Sequence, residues 1–367
     1  MTSVPGRARV PALLGPIATL LVAFVVAACS ASGATPPSAT PAPATAAPAT
    51  QAPATAVPTQ APTAVPTPAP TPTPTPAFPV TLTDDEGTSV TLAAAPQRIV
   101  SLTPAVTETL FALGVGDRIV GNTDYDDFPA QVADIPHVAS YTGVDMEKLV
   151  AAKPDLVIAG GNGFTPEEAI AKMRALGIPV VVLYADTVDG ILRDIDLTGA
   201  ATGTGEAATT LTSWMKERID AISAAATADQ ATAQPPRVFY ELDATKDIYG
   251  PAPKSFLASM IGLAGGDPIT TGDPTIFAIP LEMLVAADPQ VIVLGDANYG
   301  TTAEAVTQRP GWAGMTAVKD GAIRPVDDTI VTRPGPRIVD GLRALALAIS
   351  PDVQLPEVGS PPPLPAP

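Results

Sequence analysis

Glu147 and Glu282 stand at matching points of a repeated segment, two carboxylates whose placement in the chain is the same. Residues 146–158 (Met-Glu-Lys-Leu-Val-Ala-Ala-Lys-Pro-Asp-Leu-Val-Ile) and 281–293 (Leu-Glu-Met-Leu-Val-Ala-Ala-Asp-Pro-Gln-Val-Ile-Val) share one pattern, each with its Glu seven residues before a Pro. One exposed acid on each of two similar units could grip a basic partner at two points. A Glu near a helix start is also simply a good helix former in a favourable dipole, a reading that the second copy weakens. Catalytic constellations are scarce. His137 is the single imidazole and Cys29 the single thiol, which excludes Ser-His-Asp, Cys-His and multi-His metal sites by count. His137, in the run Asp-Ile-Pro-His-Val, reads as a surface loop residue. The glycines of 160–163 and 203–205 lack the spacing of phosphate-binding loops. Asp124, Asp126 and Asp127 leave a paired-carboxylate hydrolase open, with solvated loop acids as the plainer reading.

The elements that must carry these residues follow from the pattern. Each Leu-Val-Ala-Ala run reads as a short helix that the following Pro stops, because its ring forbids continuation. The branched-apolar runs after them, ending at Gly160 and Gly295, read as buried parallel strands. A repeat this long fits two similar lobes and not a solenoid. The alternation over 80–92 around Asp85-Glu86-Gly87 predicts a hairpin. Strands are expected at 98–102, 119–121, 179–183, 237–242 and 322–326, and helices at 103–113, 166–176, 254–263, 302–308 and 335–348. The fold class is α/β: two Rossmann-like lobes with parallel sheets, the first over 79–188 and the second over 235–351. Between them, 189–234 is interdomain helix and linker: 189 to about 226 is almost continuously helix-compatible, broken only at 199–205. A long interdomain helix of that kind predicts a stiff pair of lobes with a ligand cleft between them and limited hinge motion.

The ends of the chain are of another kind. Arg7 and Arg9 precede an apolar run from about Ile17 to Ala28, short for a bilayer span. It ends in Ala27-Ala28-Cys29, so 1–29 reads as a lipoprotein-type signal peptide whose Cys29 becomes the lipidated first residue. Residues 30–77 contain no charge and 14 Pro among 48 positions. The segment 30–78 is therefore expected to be a disordered stalk with polyproline II bias, reaching up to about 150 Å at ~3.1 Å per residue. Residues 352–367 form a Pro-rich tail. Lipid on Cys29 would hold the protein at the outer face of the cytoplasmic membrane. The net charge of −17 argues against nucleic acid and anionic surfaces as partners.

Ligands of α/β sheets sit at the carboxyl ends of strands. Residues just past the expected strands are Thr103, Tyr125, Phe164, Tyr184, Tyr249 and Tyr299, while Tyr141 and Phe277 fall six and five residues before the repeat glutamates. About half of the 16 aromatics of the chain gather at such positions. Flat, partly polar rings suit a large planar or macrocyclic ligand, although each ring could equally cap its own lobe's core. Arg333, before the final helix, could meet an anionic edge of that ligand or be an ordinary surface Arg.

Residues 96–114 (Pro-Gln-Arg-Ile-Val-Ser-Leu-Thr-Pro-Ala-Val-Thr-Glu-Thr-Leu-Phe-Ala-Leu-Gly), the loop 123–129 (Thr-Asp-Tyr-Asp-Asp-Phe-Pro) and Glu147 with Lys153-Pro154-Asp155 resemble the substrate-binding proteins of ABC importers for vitamin B12, ferric siderophores and haem. The similarity runs from about Pro96 to Pro351. It implies a non-enzymatic, monomeric receptor without cofactor, delivering a transported ligand to a membrane permease. It also implies that Glu147 and Glu282 dock onto arginines of that permease, and that Tyr141 and Arg333 line the cleft. Ferric catecholates, held by several arginines, fit poorly. A near-neutral corrinoid or hydroxamate-type iron complex fits best, and haem held through Tyr141 is the alternative. Cobalamin-binding members carry Trp where this chain has Tyr141 and Ile276 or Phe277, a departure that bears on the choice of ligand.

Overall fold

The computed structural model describes residues 78–228 and 234–363. The expected signal segment, Cys29 and the stalk up to residue 77 lie outside the described residues, as do residues 364–367.

The chain opens with the expected hairpin, β1 (Val80–Thr83) against β2 (Ser89–Leu92). Its acidic turn is an anchor: Asp84 Oδ2 accepts from the Val182 amide at 3.2 Å, and Asp85 Oδ2 from the Tyr184 amide at 2.6 Å. The first sheet comprises β3 (Ile99–Ser101), β4 (Ile119–Thr123), β5 (His137–Ser140), β6 (Gly143–Val144), β7 (Leu156–Gly160) and β8 (Val180–Leu183), in the order β6-β5-β4-β3-β7-β8. It is parallel except for β6, which returns antiparallel to β5. The second sheet, β10 (Asp267–Pro268), β9 (Arg237–Glu241), β11 (Val291–Leu294) and β12 (Ile323–Pro325) in that order, is wholly parallel. The core order β4-β3-β7-β8 of the first sheet matches β10-β9-β11-β12 of the second.

The sequence repeat is a repeat of structure. Helix α2 (Met146–Ala151) leads into β7 as α7 (Leu281–Ala287) leads into β11. The residue before each Pro adopts the same left-handed conformation, Lys153 at φ 49° and Asp288 at φ 46°. Each helix ends under an arginine at the start of a sheet strand of its own lobe, Arg98 just before β3 and Arg237 opening β9. Arg98 Nε donates to the carbonyls of Ala152 and Lys153 at 3.0 and 3.1 Å. Arg237 Nε does the same to Ala287 and Asp288 at 2.8 and 3.0 Å. These guanidinium groups satisfy carbonyls that a helix end leaves without intrahelical partners.

Helix α1 (Pro104–Ala112) follows β3 and is capped by Thr103, whose hydroxyl accepts from the Val106 amide at 3.2 Å. The remaining helices of the first lobe and the crossing are α3 (Glu167–Ala175), α4 (Val188–Thr202) and α5 (Gly205–Ala226). The crossing is thus two helices, parted within the break that the sequence shows at 199–205. The break is at Gly203, whose φ of 80° ends α4 in a conformation that favours glycine. Helix α4 packs on α5, α1, β1 and α6 (Phe256–Leu263), and α5 packs on α11 (Ile338–Ile349). Short helices α8 (Ala303–Thr307), α9 (Thr316–Lys319) and α10 (Asp328–Val331) complete the second lobe.

Three hydrophobic clusters result. One lies wholly on the first lobe, around Leu102, Val157 and Met173, and one wholly on the second, around Phe239, Ile292 and Trp312. The largest is shared: Leu110 and Ile158 of the first lobe join Val238, Ile261 and Leu342 of the second through Ile191, Leu211 and Met215 of α4 and α5. Each lobe therefore has one private core face and one common to both, which opposes hinge motion because opening would expose close-packed apolar surface. The tail also belongs to this core. Val358 is buried in the shared cluster and its carbonyl accepts from Arg218 Nε at 3.0 Å.

Candidate ligand site

A cavity of about 710 Å³ lies where the carboxyl ends of the first sheet's strands meet loops of the second lobe, within the usual volume of small-molecule sites. Seven of the nine expected cleft residues line it: Thr103, Tyr125, Phe164, Tyr184, Phe277, Tyr299 and Arg333. Their placement follows from topology. Thr103, Tyr125, Phe164 and Tyr184 each come directly after β3, β4, β7 and β8. Tyr299 ends the turn after β11, Phe277 sits in the loop before α7, and Arg333 lies between α10 and α11. Phe164, Tyr184, Phe277 and Tyr299 are exposed. Solvent-facing rings gathered at one mouth are what a ligand-binding surface presents. Tyr125 and Phe164 meet edge to face, with centroids 6.1 Å apart.

Two expected residues stand elsewhere. Tyr141 is 98% exposed in the turn between β5 and β6 and does not line the cavity. Tyr249 is half-buried and pairs its backbone with Asp243 and Ala278, bracing the loop that carries Phe277. Ile276 is exposed beside Phe277 but outside the lining. His137 is exposed, as expected, yet it begins β5 and does not lie in a loop; its Nδ1 is 2.9 Å from Asn122 Oδ1.

The electrostatics of the cavity differ from expectation. Arg333 is not a free cation. Its Nη1 and Nη2 form a fork on the two carboxylate oxygens of Asp127, the second at 2.8 Å, and Nη1 also reaches Glu108 Oε1 at 3.3 Å. Arg337 binds the same Glu108 through Nε–Oε2 at 2.8 Å and Nη2–Oε1 at 2.6 Å, and its guanidinium lies 4.4 Å from the centroid of the Phe128 ring. The acids come from α1 and the loop after β4, and the arginines from the loop before α11, so the cluster ties the lobes together beside the cavity. Gly335 lets that loop press against α1: a Cβ there would sit 3.3 Å from the Ala105 carbonyl. Asp126 is therefore not the solvated loop acid of the sequence reading, whereas Asp124 and Asp127 are exposed, Asp127 in an ion pair with Arg333. Asp126 is buried, with Oδ2 accepting from the Thr123 amide at 2.9 Å and Oδ1 unpartnered; burial raises its pKa. The Arg333 hydrogen bond holds the Asp127 carboxyl below the usual range.

Asp194, on α4, is the one carboxyl among the described residues that lines the cavity; Asp126 and Asp127 stand outside the lining. Burial, with the Asp85 carboxylate nearby, pushes its pKa up to about 8 despite Arg193. The sequence gives no sign of it, because the burial comes from α4 lying between the lobes. Such a group is protonated in the folded state while ionised in the unfolded chain between about pH 4 and pH 8. Its contribution is full below the unfolded pKa and is lost as pH rises through the folded one. Asp194→Asn should therefore gain stability relative to wild type from pH 5 to pH 8, by on the order of 1 kcal/mol per pH unit at most, and gain no more above pH 8. Urea denaturation across that range measures it; a constant difference would contradict the assignment.

Glu147 and Glu282 are both exposed, each in the first turn of its helix, and neither carboxylate has a partner among the described residues. Both helices run into the amino ends of parallel strands, so their first turns lie toward the carboxyl-end side, where the cavity is. Among the described residues no cluster of His, Cys, Asp or Glu could hold a metal ion, and no helix is long and apolar enough to cross a membrane.

Comparison with known proteins places this architecture. Residues 99–329 match the family model described as periplasmic binding protein. The chain is 32% identical over 277 residues to an uncharacterized ABC transporter substrate-binding lipoprotein of Bacillus subtilis, covering 75% of this chain and 87% of that protein. It is 31% identical over 281 residues to a cobalamin-binding protein of Halobacterium salinarum, covering 74% of each. Among solved structures, the vitamin B12 binding protein BtuF of Vibrio cholerae superposes with a TM-score of 0.59 at 25% identity, over 69% of this chain and 96% of that one. The periplasmic heme-binding protein RhuT of Roseiflexus sp. RS-1 superposes with a TM-score of 0.61 at 26% identity, over 71% and 100%. The chain belongs to the periplasmic binding protein family, the extracytoplasmic substrate-binding components of ABC importers, which bind small molecules for transport and are not enzymes.

Proposed function

We propose that this protein captures a near-neutral corrinoid, or a hydroxamate-type iron complex, in the interlobe cavity and hands it to an ABC permease. One observation carries the choice of ligand: the cavity wall is rich in aromatic rings, and Arg333, the only basic side chain among the described residues that lines it, is already engaged by Asp127 and Glu108. A multiply anionic ligand would find no free cation there, whereas a bulky neutral macrocycle would lose little by leaving water. Relatives described as binding cobalamin and vitamin B12 support the reading. Haem is the second reading, supported by the likeness to a heme-binding protein; Tyr141, the iron ligand expected for it, stands outside the cavity lining.

In this account Glu147 and Glu282 meet basic sockets on the permease. Cys29 carries lipid, and residues 30–78 are the stalk that lets a membrane-held, monomeric receptor reach its ligand; the likeness to a substrate-binding lipoprotein supports this. Equilibrium dialysis of the purified chain against cyanocobalamin, a ferric hydroxamate and haem tests the ligand. Retention of cyanocobalamin or the hydroxamate well above haem is expected. Retention of haem alone would overturn the first reading in favour of the second.

A further inference from the structure

We propose that Asp127 is a specificity-determining residue: it occupies the Arg333 guanidinium from within the chain and so bars anionic ligands from the cavity. The inference rests on the proposed near-neutral ligand class and deepens it, by naming the residue that enforces the class.

The two acids of the interlobe cluster are not equivalent. The Glu108 side chain is 2% exposed and takes Arg337 on both oxygens, so it is committed to holding the lobes. The Asp127 side chain is 55% exposed, on a loop, and spends both oxygens on the outer edge of Arg333. Arg333 itself lines the cavity, with Thr332 and Pro334 on either side of it. Two parallel N–H···O contacts are the geometry with which a guanidinium recognises any carboxylate or phosphate. Asp127 thus takes up, from outside the cavity lining, the guanidinium fork that an acidic group of a ligand would need. Being part of the chain, it competes at a high effective concentration. An acidic ligand must displace it, leaving one carboxylate unpaired, while a neutral ligand leaves the pair intact. With two arginines and two acids the cluster is neutral overall, so it offers no net attraction to either class.

Removing the internal carboxylate should open Arg333 to an external one. The probes are a porphyrin diacid, iron protoporphyrin, and its dimethyl ester, which differ only in charge at the rim. In the full chain, Asp127→Ala and the milder Asp127→Asn are expected to raise affinity for the diacid by about tenfold or more, the scale of one charge-assisted hydrogen bond. The ester should change by less than about threefold on the same scale. The gain should vanish in the double variant Asp127→Ala, Arg333→Gln. If diacid and ester shift together, or if neither variant gains affinity for the diacid, the proposal is wrong. Cyanocobalamin binding by the wild-type chain is scored separately. Its absence would sink the corrinoid reading while a diacid-specific gain still upheld the role of Asp127.

Discussion

Reversing Glu147 and Glu282 together to lysine is expected to cut uptake into cells by about a hundredfold or more, while ligand binding by the purified protein stays within about twofold. The two carboxylates are exposed, unpartnered and carried by equivalent helices of two lobes that share a core. A shared core fixes their separation, so a partner with two basic sockets can read both at once. Setting lysine against such a socket turns attraction into like-charge contact, which costs several kcal/mol per site; about 2.8 kcal/mol suffices for a hundredfold loss. Neither residue lines the cavity, which is why binding should survive. Single reversals should give intermediate losses that roughly combine, the sites being on separate lobes. Uptake at the wild-type rate in the double variant would remove the docking role and leave the repeat as a purely structural feature.

The largest effect on stability is expected at Glu108. Its side chain is almost wholly buried and holds Arg337 by two contacts and Arg333 by a third. Glu108→Ala leaves Arg337 without its carboxylate and Arg333 with Asp127 alone, and breaking a buried pair in this way costs about 3–5 kcal/mol. Glu108→Gln keeps the shape and part of the hydrogen bonding and should cost less. Urea denaturation measures both. A loss below about 1 kcal/mol for the alanine variant would show that the shared core alone holds the lobes together.

Much of this was legible in residue order because the signals were local. The repeated Leu-Val-Ala-Ala-x-Pro motif announced two helices and two strands, and the backbone reproduces it down to the left-handed residue before each Pro. The strand-end rule found Thr103, Tyr125, Phe164 and Tyr184 because parallel strands deliver their following loops to one edge. Where the reading faltered, the determinant was distant. Arg98 and Arg237 give no sequence sign of their helix-capping role, since their carbonyl partners lie 54 and 50 residues away. Glu108 reads as an ordinary helical Glu until Arg337, 229 positions on, is brought beside it. The lone charge within α1 is the available hint. Arg333 reads as a cleft or surface arginine, and its pairing is invisible in residue order because Asp127, the acid that satisfies it, belongs to the other lobe. Tyr249 shows the limit of the strand-end rule, which places a loop at the correct edge but does not aim its side chains, and Tyr141 shows that spacing from Glu147 does not do so either.

The central claim is that the interlobe cavity carries a near-neutral corrinoid or iron complex toward a permease. The visible absorbance spectrum of the protein, purified from the membrane of its native host without added ligand, tests this most directly. A corrinoid spectrum, or that of a ferric hydroxamate, is the expected result. The Soret band of haem, or the charge-transfer band of a ferric catecholate, would contradict it.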